Sequence, residues 1–126
     1  MTHEELNKLI ELTKQLREFN DASRKQYTTY TIKEGFTADF YTDVKPFADR
    51  VFMTANPWKE LAEQWVKEYR PKYVYTMQLS NAYDQLLETS VAAFQKDTKS
   101  KRFIDTIKSI DYLLDTVLIQ IKQHNK

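Results

Sequence analysis

The alternation of apolar and polar positions divides this chain into four helical stretches. The clearest runs from Ser100 to Lys122. There Phe103, Ile107, Ile110, Leu114, Val117 and Ile121 recur at alternating spacings of four and three, which places them on one stripe of a helix. Ile104, Leu113 and Leu118 widen that stripe, while Asp105, Lys108, Asp111 and Lys122 stay off it. A stripe this broad exceeds the narrow seam of a two-stranded coiled coil and suits a helix packed against several neighbours.

The first helix starts at Thr2, because Thr2-His3-Glu4-Glu5 is a capping box. Leu6, Leu9, Leu16, Ser23, Tyr27 and Tyr30 share its apolar face, with Ile10, Leu12 and Phe19 at the edges. Thr28, Thr29, Thr31 and Ile32 are β-branched, so the helix is expected to fray near Tyr30. Gly35, the only glycine, marks the turn that follows. A second stripe runs through Val44, Ala48, Val51, Ala55, Trp58, Ala62, Trp65 and Tyr69. It crosses Pro57, where two readings compete. Asn56-Pro57 has the form of an N-cap and first helical residue, yet the unbroken phase favours one long helix kinked near Pro57.

Arg70-Pro71 ends that helix, since proline disfavours a helical conformation in the residue before it. The third helix is predicted to begin at a Thr76 cap and to bury Leu79, Ala82, Tyr83, Leu86, Ser90, Ala93 and Phe94. Asp97-Thr98-Lys99-Ser100 turns the chain into the fourth, with Ser100 as its cap. Short connectors make neighbouring helices antiparallel. The expected fold is therefore all-α: one domain over residues 1–126, an up-down-up-down antiparallel four-helix bundle. At ~1.5 Å per residue the first two helices would span about 45 Å and the last two about 35 Å. The excess lies where Tyr27, Tyr30, Phe36, Phe40 and Tyr41 fall, so these aromatics are expected to plug that end.

Composition narrows the function classes. A chain of 126 residues buries roughly two-thirds of its extended surface, enough for a core without metal or disulfide staples. Nineteen Lys and Arg against eighteen Asp and Glu leave a net charge of +1, which gives no general attraction to nucleic acid or anionic membrane. The absence of cysteine excludes disulfides and thiolate chemistry. No apolar run approaches the ~20 residues needed to span a bilayer, and no signal peptide is visible at the N-terminus. A cytoplasmic location is expected.

Arg70-Pro71-Lys72-Tyr73-Val74 after a long second helix, Asp39-Phe40-Tyr41 with Lys45-Pro46 upstream, and Lys101-Arg102-Phe103 opening the last helix form an ordered set. In that order and spacing the chain resembles the YppE-like family of small proteins from bacilli and related Gram-positive bacteria. The resemblance implies a four-helix bundle and carries over no catalytic residue. Asn56-Pro57 departs from the family pattern, which leaves the straightness of the second helix open.

A helical bundle invites di-iron chemistry, which needs inward Glu-x-x-His pairs. The two histidines, His3 and His124, lie near the termini, and neither has a glutamate three residues before it. Solvated terminal histidines are the expectation, and no metal or cofactor is expected. Glu60 and Glu63 have the Glu-x-x-Glu spacing of a magnesium pair but lie off the apolar stripe, and no Glu-x-x-Asp follows to complete a cage. Trp58 and Trp65 fall on the core stripe and read as packing residues. Tyr27, Tyr30 and Tyr83 fit the core, whereas Tyr73, Tyr75 and Tyr112 are expected to be partly exposed.

Two surface features remain. Lys96, Lys99, Lys101 and Arg102 surround the start of the last helix, with Arg24, Lys25 and Lys33 expected at the same end. Free helix amides under such a cluster suit an anion, against the plainer reading of a solvated connector. At the other end, Val74 is expected to cap the core beside Leu6, Leu79 and Ile121. Arg70, Lys72 and a partly exposed Tyr73 form a candidate partner surface. These features favour a non-enzymatic binding or adaptor module with a protein partner, itself a monomer or weak homodimer. The alternative is an enzyme or ligand-binding protein for an anionic small molecule at the basic, aromatic end.

Overall fold

Thr2 opens the first helix as its capping box requires. Its hydroxyl accepts from the Glu5 amide at 3.0 Å, and the Glu5 carboxylate accepts from the Thr2 amide at 2.9 Å. The Thr2 backbone N–H, and then its hydroxyl, hold the Glu5 carboxyl below the usual carboxylate range. The computed structural model describes residues 1–124, with the side chain of His124 outside the described residues. Within it the helices are α1 (His3–Lys25), α2 (Lys45–Tyr69), α3 (Thr76–Ala92) and α4 (Ser100–His124). Each of α1 and α3 packs against both α2 and α4, which is the closed ring of an up-down-up-down bundle.

The end of α1 does not fray. It widens into a π-helical turn over Gln26–Thr31, and tertiary bonds hold that turn. The buried Thr31 hydroxyl donates to the Ala93 carbonyl at 2.5 Å, and the Tyr27 hydroxyl donates to the Thr98 carbonyl at 2.9 Å. These contacts offset the low helix propensity of the threonine-rich stretch. Gly35 then adopts a φ of +83°, a conformation that glycine takes without steric cost. Asp39 accepts from the amides of Tyr41 and Thr42 and so caps a second π-helical turn, Phe40–Val44, which leads into α2.

The expected aromatic plug is largely replaced. Of its five members only Tyr27 is buried, with its ring 4.7 Å from Phe103; Phe36 is half-buried, while Tyr30, Phe40 and Tyr41 face water. Phe47 fills the space instead, edge-on to both Phe19 and Phe94 at 5.9 Å. The π-helical turns redirect the chain here, so helical phase extrapolated from either side points the wrong residues inward.

Pro57 lies inside a continuous α2, so Asn56-Pro57 does not open a separate helix. Both later caps fall one residue before their predicted positions. Thr76 and Ser100 are the first residues of their helices; the Tyr75 amide donates to the Gln78 side chain, and the Lys99 carbonyl accepts from the Phe103 amide. With 17 residues α3 spans about 26 Å, shorter than expected.

The main core joins Leu9, Leu16, Trp58, Trp65, Leu86 and Leu114, all shielded from solvent, and both tryptophans are packing residues as read from their stripe. Tyr27, Ala93, Phe103 and Ile107 form a smaller cluster at the π-helical end. Leu12, placed at the edge by its spacing, is buried, as are the polar residues Thr13 and Asn20. Thr13 accepts from the Trp58 indole N–H at 3.0 Å, and the Asn20 amide donates to the Ile107 carbonyl and the Asp111 carboxylate. No helix among the described residues is long and apolar enough to cross a membrane.

Candidate functional site

The connector from α2 to α3 reverses the chain in six residues. Arg70 adopts the left-handed conformation (φ 46°, ψ 57°), which stops α2 while its amide still reaches the Val66 carbonyl at 2.9 Å. Tyr73 is left-handed as well, at φ 69°. Along the connector Pro71 and Val74 turn inward and Arg70, Lys72 and Tyr73 turn outward. Val74 is buried in the main core together with Leu6, Leu79 and Ile121, as its apolar character predicts. The Tyr73 side is 66% exposed, so the candidate partner surface of Arg70, Lys72 and Tyr73 is open to solvent.

Tyr73 does not stand alone. It lines a cavity of about 180 Å³ between α3 and α4, shared with Gln78, Asn81, Gln85, Ser109 and Tyr112. On α3 the positions 78, 81 and 85 share one face, and on α4 so do 109, 112 and 116. The sequence pattern places Tyr73 with Arg70 and Lys72 and marks Tyr112 only as partly exposed, so this amide- and hydroxyl-lined groove is not apparent from it. Its signal was present as uncharged polar residues at helical spacing. It becomes a site only once the two helices are paired.

The basic end is smaller than its sequence suggests. Arg24 and Lys25 are engaged by Asp21 at 2.7 and 3.1 Å, and the Arg24 and then the Lys25 hydrogen bonds hold the Asp21 carboxyl below its usual range. Lys33 lies over the Tyr30 ring, 5.9 Å from its centroid. Lys96, Lys99, Lys101 and Arg102 are exposed and form no ion pair among the described residues. Lys99, Lys101 and Arg102 line an open cavity of about 510 Å³ with Gln85, Asp105 and Ser109. Lys99 and Arg102 also line one of about 330 Å³ with Glu88 and Phe103, whereas Lys96 lines neither. Gln85 and Ser109 belong to both the tyrosine cavity and the basic one. The two candidate sites, placed at opposite ends of the bundle, therefore open onto one face.

The remaining candidates resolve simply. Glu60 is exposed, and Glu63 is half-buried with Lys59 at 3.9 Å. Among the described residues no three His, Asp or Glu side chains converge as a metal site. His3 is exposed, and the expectation for the His124 side chain lies outside the described residues. Tyr83 is half-buried and donates its hydroxyl to Asn56, while Lys59 lies 4.9 Å from its ring centroid.

The fold is that of a small all-α four-helix bundle whose second and third helices are joined by the Arg-Pro-Lys-Tyr-Val connector. The chain belongs to the DUF1798 family, a bacterial domain of unknown function, whose pattern matches residues 13–121. It is 28% identical over 117 residues to the uncharacterised protein YppE of Bacillus subtilis, covering 93% of this chain and 94% of YppE. The YppE crystal structure superposes with a TM-score of 0.86 over the same shares of the two chains. A Listeria innocua protein of unknown function, 32% identical, superposes with a TM-score of 0.91 over 98% of each chain.

Proposed function

We propose that this protein is a non-enzymatic binding module that captures a protein partner through the surface bearing Arg70, Lys72 and Tyr73. It acts in the cytoplasm, as a monomer or weak homodimer. The observation that supports this reading is the connector itself. A tyrosine held at φ 69° carries a backbone cost of order 1–3 kcal/mol, yet this one buries little of its ring in return. A connector between antiparallel helices needs no such residue. Exposed tyrosine beside arginine is instead the composition of interface hot spots. Tyr73→Ala is expected to change stability by no more than about 0.5 kcal/mol in chemical denaturation. The same substitution should deplete the partner recovered by affinity capture from the native cell and identified by mass spectrometry. Undiminished recovery would count against this surface.

A second reading has its own observation. Lys99, Lys101 and Arg102, unpaired among the described residues, line adjoining cavities large enough for a small anionic molecule. A thermal-shift screen with nucleotides and phosphorylated metabolites tests it, since a ligand at ~100 Kd stabilises by about 2.7 kcal/mol. Replacing all three cations with serine should abolish that shift and leave the unliganded melting temperature unchanged or slightly higher. Like charges near a helix N-terminus each cost ~0.3–1 kcal/mol at low salt. A shift that survives the triple substitution places the ligand elsewhere.

A further inference from the structure

The two long surface grooves that α4 borders differ in chemistry. Between α1 and α4 the lining is charged throughout, with Lys14, Arg17, Glu18, Asp21, Asp111 and Asp115, and Arg17 bridges to Asp115 at 3.0 Å. Between α3 and α4 the central lining carries no charge: Gln78, Asn81 and Gln85 face Ser109, Tyr112 and Thr116. Solvated helix faces are ordinarily charged, whereas the centres of protein interfaces lose charge and gain tyrosine. The side chains of Asn81, Gln85 and Ser109, and the hydroxyls of Tyr73 and Tyr112, make no hydrogen bond to the described residues. Their donors and acceptors are open.

That open capacity selects the occupant. A helix laid in the groove has its backbone groups already satisfied and offers amide side chains nothing along its length. An extended segment presents a free N–H and C=O at each residue, which carboxamides bind as donor and acceptor together. Charge returns only at the rim, where Lys99, Lys101 and Arg102 are unpaired beside Asp105, with Glu88 of α3 lining the adjoining cavity. Resting on the binding-module reading above, we propose that the α3–α4 groove binds an extended peptide segment of the partner. One apolar side chain of that segment enters the cavity between Tyr73 and Tyr112, and a carboxylate reaches Lys101 and Arg102. Ten residues of α4 separate Tyr112 from Arg102, about 15 Å. An extended chain covers that distance in about four to five residues.

The test is a selection of random ten-residue peptides displayed between Gly-Ser linkers, with the full chain as bait and an unrelated four-helix bundle as counter-bait. Enriched peptides should carry an apolar or aromatic residue four to five positions from an Asp or Glu. A fluorescein-labelled synthetic copy of the best one, followed by fluorescence anisotropy, should bind at least tenfold more weakly to Gln85→Ala/Tyr112→Ala and to Lys101→Glu/Arg102→Glu. Tyr41→Ala, in the exposed π-helical turn before α2, should bind it unchanged. Circular dichroism melting of each variant separates lost binding from lost folding. The proposal is overturned by absence of enrichment, by selected peptides with helical apolar spacing, or by equal affinity for the groove variants. If a partner is still captured from cells through Arg70, Lys72 and Tyr73 in any of those cases, the binding-module reading survives and this groove is not its site. If no partner is captured either, both fall.

Discussion

Leu114→Ala is expected to lower stability by ~2–5 kcal/mol. Leu114 is fully buried at the middle of the stripe, in the main core with Leu9, Leu86 and Trp58. Truncation removes the transfer free energy of the lost carbons and leaves a cavity that the surrounding helices close only in part. Lys108→Ala, on the exposed side of the same helix, should change stability by no more than about 0.5 kcal/mol. Urea denaturation of the two variants under one buffer condition makes the comparison. Similar losses would contradict the packing of α4 described above.

Thr13→Val should cost ~1–3 kcal/mol, although it changes neither volume nor apolar character unfavourably. The Thr13 hydroxyl accepts the Trp58 indole N–H at 3.0 Å in a site closed to water. Valine leaves that donor without a partner, and an unsatisfied buried donor carries its full desolvation penalty. The hydroxyl also donates to the Leu9 carbonyl, which retains its ordinary helical partner. A double-mutant cycle with Trp58→Phe isolates the effect. With the indole N–H gone, the cost of Thr13→Val should shrink by most of its value. Additive losses would show that the bond contributes nothing beyond shape.

Both predictions concern the same core, but only one of them was legible beforehand. The stripe containing Leu114 follows from spacing alone, because helical periodicity is local and each apolar position announces its face. Thr13 and Asn20 sit among those positions, and their polar side chains give no apolar signal. Their burial is tolerated only because Trp58, Ile107 and Asp111 supply partners from other helices. Val74 was legible for the opposite reason: it is too apolar for a connector that a proline had already broken. The misplaced aromatics show where periodicity stops informing. Phase carried past Tyr27 or back from Val44 crosses π-helical turns, and one added residue per turn rotates every later side chain.

The sequence by itself determined the four helices, the faces they bury, the Thr2 cap and the break at Arg70-Pro71. All of these are set by residues within a few positions of one another. Tertiary structure decided that Thr13 and Asn20 are buried with partners, which aromatic fills the π-helical end, and that Tyr73 and Tyr112 border one groove. Those outcomes depend on groups some tens of residues apart meeting across a helix pair. Such a meeting is set by packing of whole helices, to which no local pattern along the chain responds.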